Sequence, residues 1–482
     1  AILIEMTARV TNQDSKANRA TAIPGAITRA EYIYLIILVI VCSIALGVRL
    51  YRLGSFPANL MADEADNLGV IYTILAHSGP GPFGLDWKPS PAFSMWVASI
   101  FVYFAKNDLL GLRLPSALFS VLALPITYLL YRRYIHPVAA ILALTLMSFS
   151  VWYLNFSRSG WENVNVVLLT SLALLLLHKA LEKKQWKWWI LTGLTASLGL
   201  YSYFSGRAIL LSLIAYAPIA ILLHRKQVTK IVAGYGLLII TAIALFIPQL
   251  PSIAADPARF NIRAERVSVL NAAEDGYFGH YGIGSILLYQ IQRNARFFFD
   301  GSVMGGPAYS PPEQPLKDTR PRYSPFGKPL LDPVTALLFA LGMILSLFCL
   351  RNSSIWWVSF LVPWFFTQVL SINTPDAARG IGMIPSICFF VGLALDKIIA
   401  VFKNNKARSV AIVIATFIVA SVSIWNTIEY FNWASSPEFL EAREPAVPLS
   451  QFEQWSKVQQ QRAQEHLPPL TVTEWKEIHG DN

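Results

Sequence analysis

Residues 112–133 read LRLPSALFSVLALPITYLLYRR. Between Arg113 and Arg132 runs an uninterrupted uncharged stretch, 114–131, closed by a basic pair. About 20 mostly apolar residues carry a helix across a bilayer, so this stretch predicts a membrane span ending at a cytoplasmic surface. Similar runs fall at 31–50, 137–155, 162–178, 188–205, 207–224, 229–250, 331–350, 355–371, 379–400 and 408–427. The composition agrees. Hydrophobic residues make up 54% of the 482 and charged residues 14%, against about 25% charged in soluble domains. Mean hydropathy is +0.47. The chain is expected to be an all-α polytopic membrane protein.

The net charge of +10 does not call for nucleic acid as a partner, because basic residues collect in cytoplasmic loops of membrane proteins. Arg132–Arg133, Lys179 to Lys187, Arg225 to Lys230, Arg351 and Lys397 to Arg408 lie after every second span. That alternation holds only if the shorter run at 91–105 lies in the interface instead of crossing. The expected layout is about eleven spans, with a cytoplasmic N-terminal segment (1–30) and the C-terminus outside. The membrane domain covers 31–430, with external loops at 51–112 and 251–330. A short acidic tail (431–482) is too small to bury a core alone. Cys42, Cys349 and Cys388 stand singly in apolar runs and offer no disulfide framework or Cys-based zinc site. No signal peptide is expected ahead of the first span.

Chemistry is expected in the first external loop, since external loops carry function in such proteins. Asp63, Glu64 and Asp66 in MADEADNL form its acidic group. One carboxylate is suited to act as general base while its neighbour fixes geometry. The competing reading makes Asp63 a helix cap. Arg49, Arg52, Arg113, Arg158, Arg207 and Arg379 lie at external span ends, against the positive-inside trend. Arginine suits forked recognition of phosphate, so together they point to an anionic, phosphate-bearing substrate. Each alone also reads as a side chain reaching the headgroups. Asp66, Lys88 (DWKPSP) and Glu162 (SGWENV) complete the candidates as substrate-binding residues.

The loop Asp63-Glu64-Ala65, the RLPSALF segment, its YLLYRR end, and the junctions SFSVWYLNFSRSGWENVNV and LGLYSYFSGRAI together resemble the prokaryotic GT-C glycosyltransferases of the protein mannosyltransferase and aminoarabinose-transferase type. That resemblance covers about residues 30–430. It implies transfer of a sugar from a polyprenyl-phosphate donor, with inversion, to a hydroxyl of a protein, glycolipid or polysaccharide. The reaction would take place on the outer face of a prokaryotic plasma membrane. It further implies Asp63 as the base, Glu64 as its neighbour in acceptor placement, and Arg113 at the donor phosphate, with Arg379, Arg52, Arg158 and Arg207 as further phosphate ligands. Some relatives hold a divalent metal ion at the acidic loop and others work without one. His77 nearby reads as an ordinary interfacial residue. Two other readings stand beside the enzyme. A transporter would place ionisable residues in mid-span, which this sequence does not. A non-catalytic subunit of a larger membrane complex would use the acidic tail for docking.

Overall fold

The computed structural model describes residues 29–479, apart from 277, 280, 302–322, 326 and 444. Expectations about residues 1–28 and about the middle of the 251–330 loop lie outside the described residues. The chain is all-helical except for one two-stranded sheet.

Each of the eleven apolar runs forms helix, but the count of eleven spans is not confirmed. Among the described residues seven helices are long and apolar enough to cross a membrane: Arg29–Leu50, Asp108–Tyr131, Glu162–Lys183, Phe204–Leu223, Arg225–Ala255, Ile381–Val401 and Asn405–Ala434. An eighth is reached if Pro137–Phe149 and Val151–Ser157, bent by 62° at Ser150, form one span. Ser150 makes that break by capping the second piece, accepting from Tyr153 N at 3.2 Å. Three runs give shorter helices, Trp186–Leu200, Pro333–Leu347 and Leu350–Pro363. At 1.5 Å per residue these cover only about 20–23 Å of a hydrocarbon core of about 30 Å. Phe93–Phe104, the run expected not to cross, is shorter still.

The spans pack around one apolar core that includes Tyr128, Trp152, Trp356 and Phe389, the last two stacked at 4.2 Å between ring centroids. Gly160 leaves room for Leu112, whose Cγ would lie 2.5 Å from an added Cβ. That close approach brings the 158–165 junction against the span that opens at Asp108.

A second apolar cluster lies in the loop region. The first external loop contributes Leu60, Leu68, Ile71 and Tyr72, and the C-terminal tail contributes Val447, Trp455, Val472 and Trp475. The sheet joins the same two regions. Strand β1 (Asn59–Met61) pairs antiparallel with β2 (Ala446–Pro448), Leu60 opposite Val447. The tail therefore does not stand alone. It shares a core with the loop bearing the acidic residues, and at Gly69 an added Cβ would lie 2.9 Å from Pro469.

Candidate functional site

The helix Ala62–Leu75 begins where β1 ends. Its first turn presents Asp63, Glu64 and Asp66 in three different settings.

Glu64 is fully buried. Arg113 grips it from both sides of the carboxylate, Nε to Oε1 at 3.0 Å and Nη2 to Oε2 at 3.2 Å. Gly160 N donates to Oε1 at 2.6 Å, and Arg443 Nη2 donates to Oε2. Burial alone would push this carboxyl up, but Arg113 and Arg443 outweigh it and hold it below the usual range. Glu64 is thus a charge-satisfied anchor with no oxygen facing a substrate.

Arg113 is equally committed. Besides Glu64 it donates to Leu53 O, Pro57 O and Asn59 O at 3.1–3.4 Å. A guanidinium has five N–H donors, and all five are used. Every N–H of Arg113 is thus engaged within the chain, so a donor phosphate expected there would have to displace one of these partners. Arg158 turns both Nη groups to carbonyls at and just beyond the end of the first span, and its buried Nε has no partner among the described residues. It donates to Val48 O, Arg49 O, Tyr51 O and Phe56 O at 2.6–3.3 Å. Arg49, fully buried, bonds Ser120, Ala45 and Ser148. Arginines at helix C-termini satisfy orphan carbonyls and the helix dipole, which accounts for cations on this side without any phosphate.

The other arginines keep free donors. Arg207 is half-buried between Phe204 and Phe260, 4.9 and 5.0 Å from their ring centres. Its guanidinium makes no hydrogen bond to a described residue. Arg379 donates to Ile372 O at 2.8 Å and lies 3.4 Å from Asp376, leaving part of its fork unused. Arg52 is exposed, at φ 52°.

Asp63 is partly exposed, and its carboxylate has no hydrogen-bond partner among the described residues. The cap reading fails, because Met61 occupies the N-cap position and no side chain caps this helix. Asp66 is one turn further on. Its carboxyl is pushed up to about 7 by burial and by Asp63, against the pull of Lys88, with Glu474 of the tail adding to the rise.

Lys88 and Glu162 meet next to this pair. Lys88 Nζ lies 3.1 Å from Glu162 Oε1, with the side chains 2% and 6% exposed. The ammonium sits over Trp87 and Trp161, 5.0 and 5.8 Å from the ring centres. Burial would lower its pKa, but Glu162, Asp63 and Asp86 raise it on balance, which keeps it charged. Asn67, missed in the sequence, ties the parts together. It donates to Gly160 O at 3.0 Å and Glu162 Oε2 at 3.4 Å, and accepts from Trp87 Nε1 at 2.9 Å. Its place at i+4 from Asp63 was the available signal. Arg443 gave none, lying far along the chain.

The structure therefore brings Asp63, Asp66, Lys88 and Glu162 into one site and sets Glu64 with Arg113 behind it. Arg207 borders it through Phe260, since the adjacent Arg259 donates to Asp86 O at 3.2 Å. A narrow cleft runs from Glu162 and Trp161 between helix Phe93–Phe104 and the span Asp108–Tyr131, walled by Val97, Ala98, Leu112 and Phe119. Among the described residues no group of three or more His, Cys, Asp or Glu is placed to hold a metal ion.

Residues 89–251 match the family described as dolichyl-phosphate-mannose-protein mannosyltransferase, a segment that begins beside Lys88 and contains Arg113, Glu162 and Arg207. No curated protein sequence matches the chain. Among solved structures, the apo oligosaccharyltransferase of Archaeoglobus fulgidus aligns with a TM-score of 0.55 at 16% identity over 92% of this chain. The chain spans only 60% of that protein's length. Apo ArnT from Cupriavidus metallidurans aligns with a TM-score of 0.51 at 12% identity, over 90% of this chain and 78% of ArnT. These likenesses fix the fold, and the family match covers Glu162 of the site but not Asp63, Asp66 or Lys88. The chain is a membrane protein with the GT-C fold of these two structures, and its residues 89–251 are similar to the mannosyltransferase family.

Proposed function

We propose that this protein is a membrane glycosyltransferase that moves a sugar from a polyprenyl-phosphate donor to a hydroxyl acceptor outside the cytoplasm, with Asp63 as general base. One observation carries the reading. Glu64 is spent on buried partners, whereas Asp63 is partly open to solvent and has no hydrogen-bond partner among the described residues, beside a buried cation, Lys88, whose charge it helps to hold.

A base must reach the proton it removes, and an uncommitted carboxylate at the rim can do so. Asp63 takes the acceptor's proton as its oxygen attacks the anomeric carbon. The bond to phosphate breaks on the opposite face, inverting the centre, and the phosphate leaves with the bonding pair. Fixed cations in a water-poor site stabilise that developing charge. Lys88 and Arg207 supply it, with the free part of the Arg379 fork. No step is routed through a metal. The tail, a docking surface in the accessory-subunit reading, is engaged by the chain's own first loop.

The test is transfer of a labelled sugar from a polyprenyl-phosphate donor by purified protein in nanodiscs. General-base help is worth roughly 10²–10⁴ in rate, so Asp63→Asn lowers turnover by that order while donor binding persists. Wild-type turnover in the folded variant removes Asp63 from the chemistry.

A further inference from the structure

Asp63 presents its carboxylate without help from any side chain, so only its backbone aims it. The residues on either side fix that backbone. Before it, Ala62 N donates to Pro445 O at 3.0 Å, and Met61 pairs with Ala446 at the end of the sheet. After it, Glu64 is held by Arg443 together with Arg113 and Gly160. Both fixings therefore draw on the same stretch of the C-terminal tail.

Arg443 is suited to this. It is 3% exposed, lies 4.9 Å from the centre of the Phe439 ring, and is oriented by the short helix Pro437–Ala442, whose Leu440 O accepts from Asn59 Nδ2 at 3.2 Å. The rest of the tail is locked to the same helix by other means. Tyr72 Oη bonds Ser456 Oγ at 2.7 Å, and Ser78 Oγ donates to Ala463 O at 2.9 Å. Trp455 and Trp475 are buried without reference to Arg443. Losing the guanidinium thus leaves the tail docked, and loosens only the Glu64 end of the bracket.

We propose that Arg443 is a positioning residue for sugar transfer: through Glu64, and together with strand β2, it fixes the backbone that aims Asp63. The tail is then a working part of the site, contributing no atom to the reaction. This rests on Asp63 being the base.

The experiment uses the full chain in nanodiscs, comparing Arg443→Ala, Arg443→Lys and Asp63→Asn, with the exposed Lys457→Ala as control. A small misplacement of a catalytic group costs about 10²-fold. Arg443→Ala is expected to lose kcat on that order with donor KM unchanged, and millimolar guanidinium is expected to restore much of it by refilling the vacated space. Lys457→Ala keeps wild-type rates. If Arg443→Ala does not fold, Arg443→Lys decides: it keeps the charge but not the fork, and its kcat must fall with donor KM held. The proposal is overturned by wild-type kcat in either folded variant. It is also overturned if kcat and melting temperature fall while donor KM rises, without guanidinium rescue, which is what a purely structural arginine gives. An active Asp63→Asn defeats the underlying reading instead, whereas an inactive Asp63→Asn beside a fully active Arg443 variant defeats the positioning role alone.

Discussion

Lys88 Nζ and Glu162 Oε1 lie 3.1 Å apart with both side chains almost completely out of water. Glu162 starts the 3₁₀ turn ahead of the span Asn165–Lys183, whereas Lys88 comes from the far end of the first external loop. The pair therefore pins the loop to the membrane domain beside Asp63. A buried ion pair is poor evidence of net stability, since apolar residues of similar volume often replace it at no loss, but removing one partner costs heavily. A cell-free reader of the fold would gain nothing from this pair, whereas a phosphate arriving at the site would meet a charged, desolvated ammonium.

This separates stability from function. Glu162→Gln strands Lys88 and is expected to cost about 3–5 kcal/mol, read as a lower melting temperature. The double variant Lys88→Met with Glu162→Leu is expected to regain most of that stability while losing donor binding. Donor affinity by isothermal titration and thermal melts on the same preparations decide it. A double variant that melts normally and binds donor normally makes the pair purely structural.

Glu64→Gln is expected to act on folding first. It leaves Arg113 and Arg443 buried against a neutral amide, a cost of about 3–5 kcal/mol for a broken buried pair. Arg113→Gln is expected to do the same from the other side. Both are read in thermal melts. A Glu64→Gln protein as stable as wild type would show that the two guanidiniums do not depend on it.

The Asp66 carboxyl stands at about 7, above the unfolded value of about 3.9. Between those values the folded chain holds a proton that the unfolded chain has released, so stability falls as pH rises through this window. Asp86, pushed up to about 6, chiefly by burial, adds the same sign over a narrower range. Asp66→Asn is expected to melt above wild type at pH 8 and level with it at pH 4. Equal melting temperatures at both pH values would mean that Asp66 ionises without cost.

The sequence made the apolar runs legible because a bilayer demands length and hydropathy from each span separately. The helix Asp108–Tyr131 closes within a residue or two of the expected 114–131 run at its basic end. Packing is not separable in that way. Trp186–Leu200 looks like a span in composition yet ends after 15 residues, and Leu350–Pro363 continues beyond its proline only by changing to a π-helix, Trp364–Val369. Within the site, the sequence reading named Asp63, Asp66, Lys88 and Glu162 as separate candidates without bringing them together. It could not tell that Glu64 and Arg113, both on the outer face, would spend their charges on each other across 49 residues. Nor could it find Arg443, which reaches Glu64 across 379 residues from a tail with no motif.

Arg207 provides the sharpest test of the donor assignment. It opens the helix Arg207–Leu223, and its guanidinium rests between two aromatic faces with no anion among the described residues. Holding a half-buried cation in place by Phe204 and Phe260 costs solvation, and cation–π contact recovers about 0.5–2 kcal/mol of it. The arrangement makes sense when an anion arrives to complete it. A charge-assisted hydrogen bond contributes about 1.5–3 kcal/mol, so Arg207→Gln is expected to weaken polyprenyl-phosphate-sugar binding by about one to two powers of ten. Stability should hold or rise, because the variant removes an unpaired charge. This opposes the Arg113→Gln outcome, where folding fails first. Donor titration into nanodisc-embedded protein, with a melt of each variant, separates the two. Donor affinity unchanged in Arg207→Gln would leave the guanidinium as a headgroup contact and return the donor phosphate to Lys88 and Arg379.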